Sequence, residues 1–144
     1  MAQGDEPEEA EEDASGALIA FSAFIDCINA HDVGGLLDLM TEDHLFVDSL
    51  GSTIRGREPM RSAWSGYFRM FPDYHIDIER QLTQDGVVLA CGMARGTHGI
   101  GPLEPGDSWS APAAWRATVR GGRLVEWQVY CDNEPARRVL AACP

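Results

Sequence analysis

The sequence predicts an α+β domain in which three N-terminal helices pack on a cone-shaped, strongly curved mixed or antiparallel sheet that encloses a pocket. Two observations predict the α+β class. Apolar residues recur at helical spacing between Ala17 and Phe71, and from Tyr74 to Asp132 the chain turns to stretches that read as strands. Helices first and a meander of long strands after them imply an α+β layer architecture, with one sheet face covered by the helices. A sheet bent around one such layer leaves a concave space of the kind that takes small ligands. The 144 residues suit one domain. It is expected over residues 15–141, behind an acidic, disordered tail at 1–14.

The elements follow in order. Ala17, Leu18, Phe21, Phe24, Ile25 and Ile28 share one face of a first helix, which Ser15 could cap and which ends near Ala30. His31-Asp32 breaks the pattern, and Asp32 can cap a short second helix whose apolar face is Val33, Leu36, Leu37 and Met40. Residues 44–49 switch to period two, placing His44, Phe46 and Asp48 on one face of a strand and Leu45 and Val47 on the other. Residues 49–52 read as a turn. The third helix opens at Gly56–Pro59, carries Met60, Ala63, Trp64, Tyr67, Phe68 and Phe71 in one stripe, and stops at Pro72.

Beyond Pro72 the strands begin. Tyr74, Ile76, Ile78 and Leu82 alternate with polar residues, and Asp85-Gly86 marks a hairpin. Val87 to Thr97 is a second long strand, and residues 99–107 form a loop. Trp109 to Val119 is a third, in which Pro112 calls for an edge or a bulge. Gly121-Gly122 turns the chain into a last strand, Leu124 to Asp132. Asn133 can cap a terminal helical turn with Val139 and Leu140 docking.

Charge and composition exclude several functions. Net charge is −12, and residues 5–13 alone hold seven acids and no base. The chain contains no Lys, so the clustered cations that phosphate contacts need are missing and nucleic acid is not an expected partner. No apolar run approaches the roughly 20 residues of a membrane span, and no secretory signal is visible. The cysteines at 27, 91, 131 and 143 are widely spaced, as expected of free thiols in the cytoplasm. No metal-ligand spacing, phosphate loop or nucleophile elbow occurs, so neither metal nor cofactor is expected.

Taken together, Ala30-His31-Asp32, the run Leu36 to Asp43, Phe46-Val47-Asp48, Arg55 to Glu58, Phe71-Pro72-Asp73, Gly96 to Gly99, Gly121 to Leu124 and Trp127 to Asp132 resemble the nuclear-transport-factor-2-like superfamily. More narrowly they resemble its SnoaL-like and ketosteroid-isomerase-like branch, over residues 15–141. The resemblance implies a conical α+β barrel, a homodimer built on the outer sheet face, and an apolar pocket for a small hydrophobic ligand. It also implies candidate site residues. Asp48 matches the segment that carries the general base of ketosteroid isomerase, an enzyme whose Asp base works with an oxyanion hole of one Tyr and one protonated Asp. Those two donors align here with Phe24 and Ala114, which have no side-chain donor. The last-strand acid of SnoaL-like cyclases aligns with Val129. The Arg–Asp pair of the limonene-epoxide-hydrolase branch aligns near Gly92 and Ala94.

The expected catalytic set is therefore Asp48 as acid or base, with His44 or His98 as partner. Phe24, Trp64, Phe68, Ala114, Trp127 and Val129 are expected to wall the pocket, and Trp115, opposite to Ala114 in parity, to face outward at a subunit contact. Each polar candidate has a structural alternative. Asp48 can cap its own turn by bonding amides near Ser49–Gly51, and His44 and His98 can be loop-edge or strand-end residues. Tyr130 and Asp132 are further polar candidates, Asp132 also as a cap for the terminal turn. Three functions stay open: a cofactor-free enzyme on a small apolar carbonyl or polyketide-like compound, a non-catalytic binder of such a ligand, and a dimeric accessory module with a vestigial pocket.

Overall fold

The computed structural model describes residues 6–99 and 107–142. Helix α1 spans Glu6–Ala30, α2 Val33–Asp38 and α3 Arg57–Met70; strands β1 (Met40–Val47) and β2 (Thr53–Arg55) lie between α2 and α3. The chain continues through β3 (His75–Gln84), β4 (Val87–Thr97), β5 (Ser108–Arg120) and β6 (Arg123–Cys131), and α4 (Glu134–Ala142) closes it.

Helix α1 starts well ahead of Ser15, so residues 6–14 of the expected disordered tail are helical; residues 1–5 lie outside the described residues. The local reason is in the sequence. Pro7 is tolerated in a first turn, and Glu and Ala are strong helix formers. Acids are also favoured at the positive end of the helix dipole. The helix ends at His31, whose φ of 56° is the left-handed conformation of a helix C-terminus. Asp32 then caps α2 as expected, accepting the Gly35 N–H at 3.0 Å.

The six strands form one sheet in the order β2-β1-β6-β5-β4-β3. All pairs are antiparallel except β1 with β6. β5 is thus a central strand, and Pro112 lies where its β6 side is a local edge, with no bulge. Pairing of β5 with β6 begins at Ala113, so the missing N–H of Pro112 falls past the end of β6.

Two faces differ from the sequence-based expectation. Leu82 is 72% exposed rather than buried. The β3–β4 register shifts between Ile78 and Arg80, and one extra residue in a strand flips every later side chain to the other face. Gly92 sits opposite this irregularity, so close that a Cβ there would collide with the Asp77 carbonyl. Trp115 is 1% exposed and belongs to the core, while half-buried Ala114 faces the other way. The parity was right and the side reversed.

The core fills the space between the helices and the inner sheet face. Phe21, Phe24 and Ile28 of α1, Leu36 and Leu37 of α2, and Met60, Trp64 and Phe68 of α3 meet Ile76, Val88, Ala111, Trp115, Leu124 and Trp127 of the sheet. Asn29 fixes α1 to β3 by donating to the Ile76 carbonyl at 3.0 Å and accepting the Ile76 N–H at 2.9 Å.

Candidate functional site

The helix layer does not cover the whole inner face. Between the α3 stripe, the tip of β1, the end of β6 and α4 lies a cavity of about 510 Å³. Phe46, Met60, Ala63, Trp64 and Met70 form its apolar wall on one side, and Trp127, Val129, Ala136 and Leu140 on the other. Such a volume and lining suit a small, largely apolar molecule. Helix α4, expected as a single terminal turn, is a full wall of this space. Asp132 accepts the Glu134 N–H at its start, as expected of a cap. Asn133 contributes by its carbonyl, which accepts the Arg137 N–H.

Asp48 lines the cavity just past the end of β1. Its Oδ1 accepts the backbone N–H groups of Leu50 and Ser52, both at 2.9 Å, so the turn-capping role is present. The turn therefore holds the carboxylate in a fixed orientation, and both bonds fall on the same oxygen.

The two expected partners of Asp48 are elsewhere. His44 shares its strand face but is 0% exposed and does not line the cavity. The parallel pairing of β1 with β6 brings it beside Leu124, whose carbonyl accepts the Nδ1–H at 2.7 Å. That bond fixes the tautomer, leaving Nε2 an acceptor without a hydrogen-bond partner among the described residues. Burial lowers the His44 pKa; the Leu124 carbonyl and the charges of Asp43 and Glu126 oppose this without cancelling it. His98 lies at the end of β4 outside the cavity lining, its N–H bonded to the Asp107 carbonyl at 3.0 Å. The geometry thus does not join either histidine to Asp48.

Of the expected wall residues, Trp64, Trp127 and Val129 line the cavity. Phe24 and Phe68 lie one layer behind. Phe24 packs on Trp127 at 4.8 Å between ring centres and on Trp64 at 6.3 Å; Phe68 stacks between Trp64 and His31. Ala114 is turned away, because its cross-strand partner is the exposed Tyr130, whereas Val129 pairs with the buried Trp115.

Tyr67 of the α3 stripe and Tyr74, which the sequence places on an ordinary strand, both line the cavity. The tight turn at Pro72-Asp73, closed by the Tyr74 N–H on the Phe71 carbonyl at 3.0 Å, folds Tyr74 back onto Tyr67. Their rings meet edge to face with centres 4.8 Å apart. Burial pushes both pKa values well up, so both stay protonated at neutral pH. Two tyrosines at either end of an apolar stripe broken by Pro-Asp were the only available hint. Among the described residues no group of three His, Cys, Asp or Glu is placed to hold a metal ion, and no helix is long and apolar enough to cross a membrane.

A family model of the SnoaL-like domain matches residues 21–127. The chain belongs to the SnoaL-like family. Solved structures agree on the fold. A candidate SnoaL-like polyketide cyclase from Jannaschia sp. superposes with a TM-score of 0.77 at 15% identity, over 91% of this chain and 95% of that one. An epoxide hydrolase of limonene-epoxide-hydrolase type from M. tuberculosis gives 0.71 at 20% identity, over 89% and 91%. A protein of ketosteroid-isomerase-like fold from Catenulispora acidiphila, in complex with trimethylamine, gives 0.72 at 19% identity, over 81% and 88%. No curated protein matches the chain. This SnoaL-like domain therefore shares its cone-shaped fold with these proteins.

Proposed function

We propose that this SnoaL-like protein binds a small, uncharged, largely apolar carbonyl or polyketide-like compound in the cavity and moves a proton on it without a cofactor. Asp48 is the acid or base. The observation that carries this reading is the position of Asp48: a carboxylate lines a cavity whose walls are mostly apolar, and Oδ1 is anchored by two amides. An oriented carboxylate beside a C–H flanked by a carbonyl can take the proton if the enolate is stabilised. His44 and His98 have no direct part in this, since neither lines the cavity.

The same turn bonding favours a second reading, in which Asp48 is only a cap and the cavity binds without reacting. Deuterium exchange at the carbon next to the carbonyl of a bound bicyclic ketone separates the two. The first reading expects exchange catalysed by the wild type and lost in Asp48→Asn with binding retained. Binding without exchange supports the second.

A homodimer through the outer sheet face and a cytoplasmic setting complete the proposal. Leu82 and Leu89 pair across β3 and β4 on that face, and Tyr130 and Cys91 are also exposed on it, which supports a subunit contact. Cys27, Cys91 and Cys131 are free thiols, as suits a reducing compartment. Sedimentation equilibrium tests the dimer, and a mass of one chain at micromolar concentration would count against it.

A further inference from the structure

We propose that Asn133 is the hydrogen-bond donor for the ligand's carbonyl oxygen, so that the ligand lies with its carbonyl at the rim beside Asp48 and its apolar body inward. The proposal rests on the reading of the cavity as the place where Asp48 moves a proton. That chemistry needs a donor. When Asp48 takes the proton from the carbon next to a carbonyl, the C–H electron pair becomes a C=C bond and the carbonyl π pair moves onto oxygen. The proton, or a deuteron exchanged into the carboxyl from heavy water, then returns to the carbon. In between, the oxygen carries a negative charge that a fixed donor stabilises.

Carbon and oxygen are close together in an enolate, so base and donor must stand side by side. Strands β1 and β6 are parallel neighbours with Val47 opposite Gln128, and both leave the sheet at the same end. Asp48 follows directly on β1, and Asn133 stands between the end of β6 and the start of α4. Both line the cavity. Tyr67 and Tyr74 also line it, but from the other edge of the sheet. Tyr74 leads into β3, four strand spacings from β1 and so roughly 19 Å along the sheet, and Tyr67 packs against it.

The Asn133 side chain is free for the role. An Asn at the start of a helix commonly caps it. Here Asp132 accepts the Glu134 N–H at 2.9 Å instead, and the Asn133 main-chain carbonyl accepts the Arg137 N–H at 2.8 Å. The Asn133 carboxamide makes no hydrogen bond among the described residues, and its two N–H groups carry no charge. The other donors near Asp48 are less available. Glu134 engages the Arg137 guanidinium at 2.7 and 2.8 Å, and Ser49 has one proton to offer against two. Asn133 is exposed, which sets the donor at the rim. A carbonyl held there leaves the rest of the ligand against the apolar surface of Phe46, Met60, Trp64 and Trp127.

The test follows 2-tetralone with wild type, Asn133→Ala and Asn133→Asp in heavy water at about pH 8, where an aspartate has no proton to give. Asp is favoured at a helix start, so the second variant is expected to fold if the first does not. Deuterium exchange should lose about 100-fold in kcat in both variants, with KM changed far less. The carbonyl stretch of the bound ketone, read by infrared difference spectroscopy, should move to lower frequency in wild type and return in both variants. A ketone bound without a shift by wild type overturns the assignment. So does a shift that survives in both variants, or one that returns only in Ser49→Ala or Tyr67→Phe; in these cases exchange by wild type leaves the Asp48 reading standing. A shift that depends on Asn133 without exchange by wild type supports the donor and removes the reaction. Failure of wild type to bind the ketone counts against the ligand site, and the donor assignment falls with it.

Discussion

Asp48 and Ser52 hold each other by two reciprocal hydrogen bonds: the Asp48 N–H donates to the Ser52 carbonyl at 2.9 Å, and the Ser52 N–H donates to Asp48 Oδ1 at 2.9 Å. The residue proposed to act on the ligand therefore also builds the turn that places it. Structure and chemistry can be separated by substitution. Asp48→Asn keeps an oxygen for the two amides and should change stability by less than about 0.5 kcal/mol. Asp48→Ala removes it and should cost about 1–2 kcal/mol. Proton exchange on a bound ketone should fall about 100-fold or more in both. Urea melts and exchange rates on the three proteins check this, and exchange that survives in Asp48→Asn contradicts the role of the carboxylate.

His44 gives the fold a pH dependence of known sign. In the unfolded chain it titrates near 6.5, and in the fold burial lowers this value. Below about pH 6.5 the unfolded chain takes up a proton that the folded chain refuses. The stability tied to neutral His44 is thus complete above pH 6.5 and is lost as the pH falls towards the lower folded value. The slope in that window should approach 1.4 kcal/mol per pH unit and no more. Urea midpoints measured between pH 7.5 and 5.0 should fall for wild type and fall less steeply for His44→Gln. Identical slopes would mean that other groups carry the acid sensitivity.

Two glycines should respond with opposite signs. Gly92→Ala drives a Cβ into the Asp77 carbonyl at the β3 irregularity and should cost about 3 kcal/mol or prevent folding. Gly66→Ala lies within α3, where a Cβ meets only the end of the Arg69 side chain, and should stabilise by about 0.5–1 kcal/mol. Thermal melts of the two variants settle the comparison.

Much of this was legible in the residues. The stripe from Met60 to Phe71 and the alternation of β3 rest on local periodicity, which a single chain displays in full. What failed was what periodicity cannot carry. The β5 strand has small apolar residues on both faces, with Ala111, Ala113 and Ala117 inside and Pro112 and Ala114 outside, so parity shows which residues share a face and not which face is buried. Leu82 was misplaced because the β3 irregularity is a property of pairing with β4. The same limit applies to the site. Asp48 was legible because it ends a strand and starts a turn within a few residues. The Tyr67–Tyr74 pair and the burial of His44 beside Leu124 arise from contacts between different elements, which spacing along one chain does not record.

The most direct measurement is calorimetric titration of wild type and Val129→Trp with 2-tetralone at two or three temperatures. Val129 lines the cavity and pairs with buried Trp115, so a Trp at 129 takes up the space a ligand would use while leaving the outer face unchanged. The prediction is one-to-one binding by wild type with a negative heat-capacity change, the mark of apolar burial, and a loss of more than about tenfold in affinity in Val129→Trp. An absence of binding heat in wild type at every temperature, or equal affinity in a folded Val129→Trp variant, would contradict a ligand-binding cavity at this end of the cone.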